Sequence, residues 1–418
     1  MSAFHFFTGT HASAGEASIL KCEADFTKKT FRTLYTMQEI SDPTYLAVSR
    51  DRILYALGKN SEGGAVYALK ETASRSGSNS GLMSEAEGGT SASTLSVLSA
   101  VSSGGLGPCH ISSDPQGGFL LCANYSSGSA ALYDLEEDGR IRSMCDFRQY
   151  SGTGYDSGDR QKGPHAHYAA FHRERDEVLV CDLGLDRVYV YELDRRARKL
   201  RDTGRSIRLP DGSGPRHLAF SESHPGMLYV LTEMANRIFV YQYSEAEHPD
   251  GQLQGQYKCV QTISAAPDPS GAGCGASPEA APGAWDEAAP PDSSLMIPES
   301  ADNGSIGCAI RFSGDGEYLF VSSRLGYQSI AAFHCDESGR LRFCSRGLCG
   351  GITPRDFNVF EEAGTLNDEE PRYSYILTAN QDSDRVTAMR FDRRREVLEL
   401  LEMKMEAVRP TCILPVRL

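Results

Sequence analysis

Residues 109–135 read CHISSDPQGGFLLCANYSSGSAALYDL, and the fold follows from how this stretch divides. A short run (HISSD) meets a turn (PQGG). A second, apolar run (FLLCAN) leads through a polar loop (YSSGS) into a third (AALYDL). Strand-forming residues alternate with Gly, Asp, Ser and Pro at the breaks, which is the pattern of an antiparallel meander. A single meander exposes two apolar faces and two sheet edges, so it needs neighbours of its own kind.

Those neighbours are present in the chain. Residues 167–193 (HYAAFHRERDEVLVCDLGLDRVYVYEL), 216–243 (RHLAFSESHPGMLYVLTEMANRIFVYQY) and 309–335 (AIRFSGDGEYLFVSSRLGYQSIAAFHC) repeat the plan. So do residues 355–391, from RDFNVF to YILTANQDSDRVTAMRF, and a copy that begins at Tyr45. Repeated meanders of this size are the signature of propeller blades. The six internal copies leave strand-like residues at both termini, 4–8 and 412–416. Pairing these into a shared seventh blade closes the ring, so the expectation is an all-β, seven-bladed propeller of four-stranded antiparallel blades, a single domain over 1–418. Six or eight blades are the alternatives, because a degenerate blade can hide between Thr72 and Gly107. Residues 72–94 (Ser, Gly and Ala) and 265–303 (Pro, Ala, Gly and Asp, with the single tryptophan, Trp285) read as low-complexity surface inserts.

Composition narrows the function. With a net charge of −14, a clustered basic footprint for nucleic acid is not expected. The first residues lack a basic region followed by an apolar one, and no apolar run is long enough to span a bilayer; a cytoplasmic protein without membrane contact is expected. The twelve cysteines include no C-x-x-C pair, and Cys122, Cys181 and Cys335 lie in strand-like runs, so reduced core thiols are expected rather than disulfides or structural metal.

Aligning the copies converts sequence into geometry. The start of each first strand and the end of each second strand share one face of the ring. The first set of columns holds Cys109-His110, His167-Tyr168, Arg216-His217, Cys308-Ala309 and Arg355-Asp356. The second, one residue past the second strand, holds Lys59, Tyr125, Leu183, Glu233, Arg324 and Gln381. Structural positions in a repeat should hold similar residues, as Leu46, Ile111, Leu218, Ile310 and Phe357 do. The mouth columns hold arginines, histidines, a lysine and a glutamate instead, which suits an anion-binding pocket with acid/base capacity. Solvated loops are polar for blander reasons, and His172, His224, His248 and His334, in outer turns or strands, carry no assigned role.

At these motifs the chain resembles the seven-bladed β-propeller lactonase family, best known for 6-phosphogluconolactonase activity. The resemblance rests on Gly9-Thr10, Gly107-Pro108-Cys109-His110-Ile111-Ser112, Ala123-Asn124-Tyr125 and Gly163-Pro164-His165-Ala166-His167. It continues through Asp182-Leu183-Gly184, Gly214-Pro215-Arg216-His217, Thr353-Pro354-Arg355-Asp356 and Ala379-Asn380-Gln381-Asp382. Related fungal carboxy-muconate cyclases use a histidine, two arginines and a glutamate, which by motif are His165, Arg216, Glu233 and Arg324. Two departures stand out: Thr232 where many members have Asn, and Ala309 where many have Glu. Arg311, inside the same strand, ranks below Arg324.

The resemblance implies hydrolysis of a small anionic sugar lactone without cofactor or metal. His165 or Glu233 would take a proton from water. Arg216 and Arg324 would hold the oxyanion or an anionic group through paired N–H donors. His110, His167, His217, Arg355, Gln381, Tyr125 and Lys59 would complete the substrate wall. No Gly-x-Ser-x-Gly elbow points to an acyl-enzyme. The expected state is a monomer or weak homo-oligomer. Rival readings are a lactonase or cycloisomerase for another anionic substrate and a non-catalytic scaffold propeller, which would favour an apolar mouth.

Overall fold

In the computed structural model, residues 3–73, 93–155, 160–247, 253–267, 304–361 and 372–416 are described. The second strand of each blade explains the architecture. Phe119–Asn124, Glu177–Asp182 and Met227–Thr232 are buried at every position. A strand covered on both faces needs no polar alternation, and these runs show almost none. The outermost strands, such as Ile141–Gln149, are mostly exposed or partly buried, with only Ile141 fully covered, because their outer edge faces away from the ring.

The described strands form seven four-stranded antiparallel sheets. Blades 2 to 7 each run from an innermost strand outwards, starting at Leu46–Val48, Pro108–Ser113, Ala166–Phe171, Pro215–Phe220, Ser305–Phe312 and Pro354–Glu361. Blade 1 is shared. Its innermost strand is Pro410–Val416, which pairs with Phe4–Thr10, followed by Ile19–Asp25 and Thr30–Met37. The blade that closes the ring is therefore built from both ends of the chain. Residues 93–102, where a degenerate blade was an alternative, form the outer strand Ser93–Ser102 of blade 2.

The core is divided rather than central. A separate apolar cluster fills the seam between each pair of adjacent blades. The closing seam, between blades 7 and 1, packs Phe6, Leu20, Leu377 and Ile413. Asp356 reinforces it by accepting a hydrogen bond at Oδ2 from the Ile413 amide (3.1 Å).

The inserts begin further along than composition indicates. Thr72, Ala73, Ser93 and Thr94 belong to a strand pair of blade 2. Ala265 and Ala266 are buried beside the blade 5/6 seam. Residues 74–92 and 268–303, Trp285 among them, lie outside the described residues. The described cysteines are unpaired.

Gly9 shows how tight the closure is. A Cβ there would sit 2.3 Å from the Pro43 carbonyl oxygen and 3.1 Å from Cys412 Sγ. Gly9→Ala should therefore destabilise the protein by about 1–3 kcal/mol, the usual cost of overpacking. Urea denaturation would measure it; an unchanged midpoint would show that the seam yields.

Candidate active site

One local irregularity aims the site. Near the start of several innermost strands the ladder takes in an extra residue. Pro108 pairs with Asn124 and His110 with Ala123, which leaves Cys109 as the bulge. The same count isolates His167, Arg216 and Arg355. A bulge breaks the in/out alternation and redirects one side chain. Here the four redirected residues all line a cavity of about 360 Å³ at the mouth of the ring.

The turn before the bulge fixes the facing strand end. Amides of Tyr125, Leu183, Glu233 and Gln381 donate to the carbonyls of Gly107, His165, Gly214 and Thr353 at 2.7–3.0 Å. Gly107 and Gly214 have φ near +60°, a conformation open to glycine at little cost. Thr353 adopts it too, with its hydroxyl donating to Asp382 Oδ2 (2.5 Å). Thr232 has a local explanation for replacing Asn: its hydroxyl donates to the Arg237 carbonyl and accepts from the Arg237 amide.

Glu233 is the electrostatic centre, buried to 1% exposure. Its Oε2 accepts from Arg216 Nε (2.8 Å), and its Oε1 accepts from Arg324 Nη2 (2.9 Å) and Arg160 Nη2 (2.6 Å). Burial opposes ionisation, but the three guanidinium groups outweigh it and hold the carboxyl well below the usual range. Arg216, equally buried, also donates through Nη1 to the Cys308 carbonyl and to His217 Nε2 (2.9 Å). Because arginine only donates, His217 Nε2 is unprotonated. Arg355 differs from the others. It is half-buried on the cavity wall and has no hydrogen bond or ion pair among the described residues. Burial, Arg216 and Arg324 lower its pKa from the ordinary arginine value.

Rings and one ion pair floor the cavity. His110 lies 3.7 Å from Tyr168 and 4.5 Å from Tyr45, centroid to centroid, and His217 lies 4.8 Å from Tyr168. Arg311 donates to the Tyr45 hydroxyl (2.7 Å) and to Asp356 Oδ1 (2.9 Å). Burial, with arginine neighbours adding repulsion, pushes His110, His167 and His217 well below the usual histidine range, so all three are neutral.

The sequence candidates separate accordingly. Glu233, Arg216, Arg324, His167, Arg355, Tyr125 and Lys59 line the cavity. Lys59 and Arg324 are the penultimate residues of their strands rather than the position beyond. His110 and His217 lie in the floor. His165 stacks on Tyr125 (4.4 Å, 14°) and donates through Nδ1 to the Tyr125 carbonyl (2.9 Å), behind the cavity wall. Gln381 points to Asp382 instead (3.2 Å). The repeat columns missed His11, Asp42 and Arg160, which also line the cavity. His11 directly follows the quoted Gly9-Thr10, the one signal that was available. Among the described residues no three His, Cys, Asp or Glu side chains are grouped to hold a metal ion, and no helix is long and apolar enough to cross a membrane.

The family described as lactonase, 7-bladed beta-propeller, matches residues 5–415. The chain belongs to this seven-bladed β-propeller lactonase family. It is 29% identical to a 6-phosphogluconolactonase of Bacillus subtilis, over 99% of this chain and 98% of that one. A 6-phosphogluconolactonase of Formosa agariphila is 25% identical over 76% of either chain. The solved periplasmic gluconolactonase of Pseudomonas aeruginosa superposes with a TM-score of 0.75 at 22% identity, covering 100% of this chain and 99% of that one, and so shares the fold. Family membership supports sugar-lactone hydrolysis in general as the chemistry.

Proposed function

We propose that this protein hydrolyses 6-phospho-D-glucono-1,5-lactone to 6-phosphogluconate. Arg355 is the observation that carries the reading. Arg216, Arg324 and Arg160 share the charge of Glu233, whereas Arg355 presents an uncommitted fork to a cavity of sugar-phosphate size. A half-buried cation without a partner costs some stability, and a bound phosphate would supply that partner. Arg324 spends one nitrogen on Glu233 and keeps a buried, unpartnered Nε, which makes it the proposed donor to the lactone oxyanion. Glu233 then serves to hold arginines rather than to accept protons, since a carboxylate with so depressed a pKa is a weak base. The relatives named 6-phosphogluconolactonase support the same substrate, and the cytoplasm, where phosphorylated sugars are made, is the compartment proposed.

The test compares freshly generated 6-phosphogluconolactone with unphosphorylated gluconolactone, each corrected for spontaneous opening. The expected result is a kcat/KM at least tenfold higher for the phosphorylated lactone. Equal rates would remove the phosphate from the reading. No acceleration of either would favour a cycloisomerase or a scaffold.

A further inference from the structure

The cavity wall carries a second constellation, on the opposite chemical footing from the arginine cluster. His11 follows the second strand of blade 1, and Asp42 lies in the connection to blade 2. His11 Nδ1 lies 2.5 Å from Asp42 Oδ1, and Lys59 Nζ lies 2.5 Å from Asp42 Oδ2. The backbone holds both partners. The His11 amide donates to the Arg409 carbonyl (3.0 Å), Arg409 donates back to the His11 carbonyl, and the Asp42 amide donates to the Ala12 carbonyl (2.8 Å).

A carboxylate accepts only, so this contact places the proton on Nδ1 and leaves Nε2 as the acceptor. His11 lines the cavity, and its Nε2 has no partner among the described residues. His11 keeps 24% of its side-chain surface exposed, enough to meet a water. No other described histidine combines these features. His167 lines the cavity without a carboxylate at either nitrogen, and His165 lies behind Tyr125.

We propose that His11 is the general base of the lactone hydrolysis and that Asp42 is its positioning residue. The inference rests on the lactonase reading above. Water forms the new bond to the lactone carbonyl carbon as its proton passes to His11 Nε2. The ring C–O bond then breaks, and the same proton goes to the departing ring oxygen. The products are one hydroxy acid and the original neutral imidazole. The carboxylic acid ionises in solution, so the balance is lactone plus water.

The experiment measures kcat and KM for 6-phosphogluconolactone in wild type, His11→Gln, His11→Ala, Asp42→Asn and His165→Ala, with thermal melts to verify folding. His11→Gln should lower kcat about 10²–10⁴-fold, the usual scale for a general base, with KM nearly constant. Added imidazole should restore part of the His11→Ala rate. Asp42→Asn reads out positioning through the split between kcat and KM. With the carboxylate gone the ring is no longer held with Nε2 free, so kcat should fall while KM and the thermal melt stay near wild type. Loss of a merely structural contact would lower the melt and leave kcat of the folded enzyme in place. Folded His11→Gln running at the wild-type rate overturns the assignment, and turnover lost only in His165→Ala moves the base to His165. Failure of the wild type on every lactone overturns the assignment together with the functional reading beneath it. If His11→Gln does not fold, imidazole rescue and the Asp42→Asn kinetics still decide.

Discussion

Glu233→Gln is expected to lose stability and activity together. Glutamine fits the space, but its amide nitrogen would face a guanidinium that can only donate. Arg216, among the most deeply buried side chains in the molecule, would then hold a charge without its counter-ion. Breaking one partner of a buried pair costs about 3–5 kcal/mol, and retained hydrogen bonds would place this variant near the lower end. Turnover should fall by about 10²-fold or more, since small displacements of binding groups cost that much. Guanidinium denaturation beside kinetics separates the two roles open to Glu233. A general base would leave the denaturation midpoint near wild type while kcat alone collapsed.

Arg355→Met should act in the opposite sense on stability. Arg355 has no partner among the described residues, so replacing it with an apolar chain of similar length removes an unpaired, half-buried charge and should raise the melting temperature. Binding suffers instead. A hydrogen bond to a charged group contributes about 1.5–3 kcal/mol, so KM for the phosphorylated lactone should rise about 10–100-fold. The unphosphorylated lactone should be hydrolysed much as before. A variant with raised stability and unaltered KM would show that the phosphate binds elsewhere. Such a trade between stability and function is expected where a site keeps a charge in reserve for its ligand.

The sequence made the ring legible because a propeller writes the same meander repeatedly, and each copy corroborates the others. The mouth columns were legible for the same reason. Cys109, His167, Arg216 and Arg355 share one place in the repeat, and the bulge turns that place toward the cavity. What the repeat could not show was pairing. Nothing in the order of residues reveals that Glu233 is shared among three arginines, one of them, Arg160, on a loop outside every column. The His11–Asp42 contact was hidden because Asp42 lies in the connection between blades and has no counterpart elsewhere. His165 stands just off the cavity lining. It stands where Gly107 and Gly214 stand in their blades, directly before the strand, and its ring turns back onto Tyr125.

The shared blade also sets a timetable for synthesis. Phe4–Thr10 leaves the ribosome long before Pro410–Val416 and must wait for it before its inner edge is paired. Until then the nascent ring is an open arc with an unpaired strand edge at one end, a hazard for intermolecular pairing. Arg409, which holds the His11 backbone, arrives with that same closing segment. The protein can therefore make no early start on its chemistry. Blades already folded on the ribosome wait for the closing strand, and the His11 backbone gains its Arg409 anchor in the same event that seals the ring.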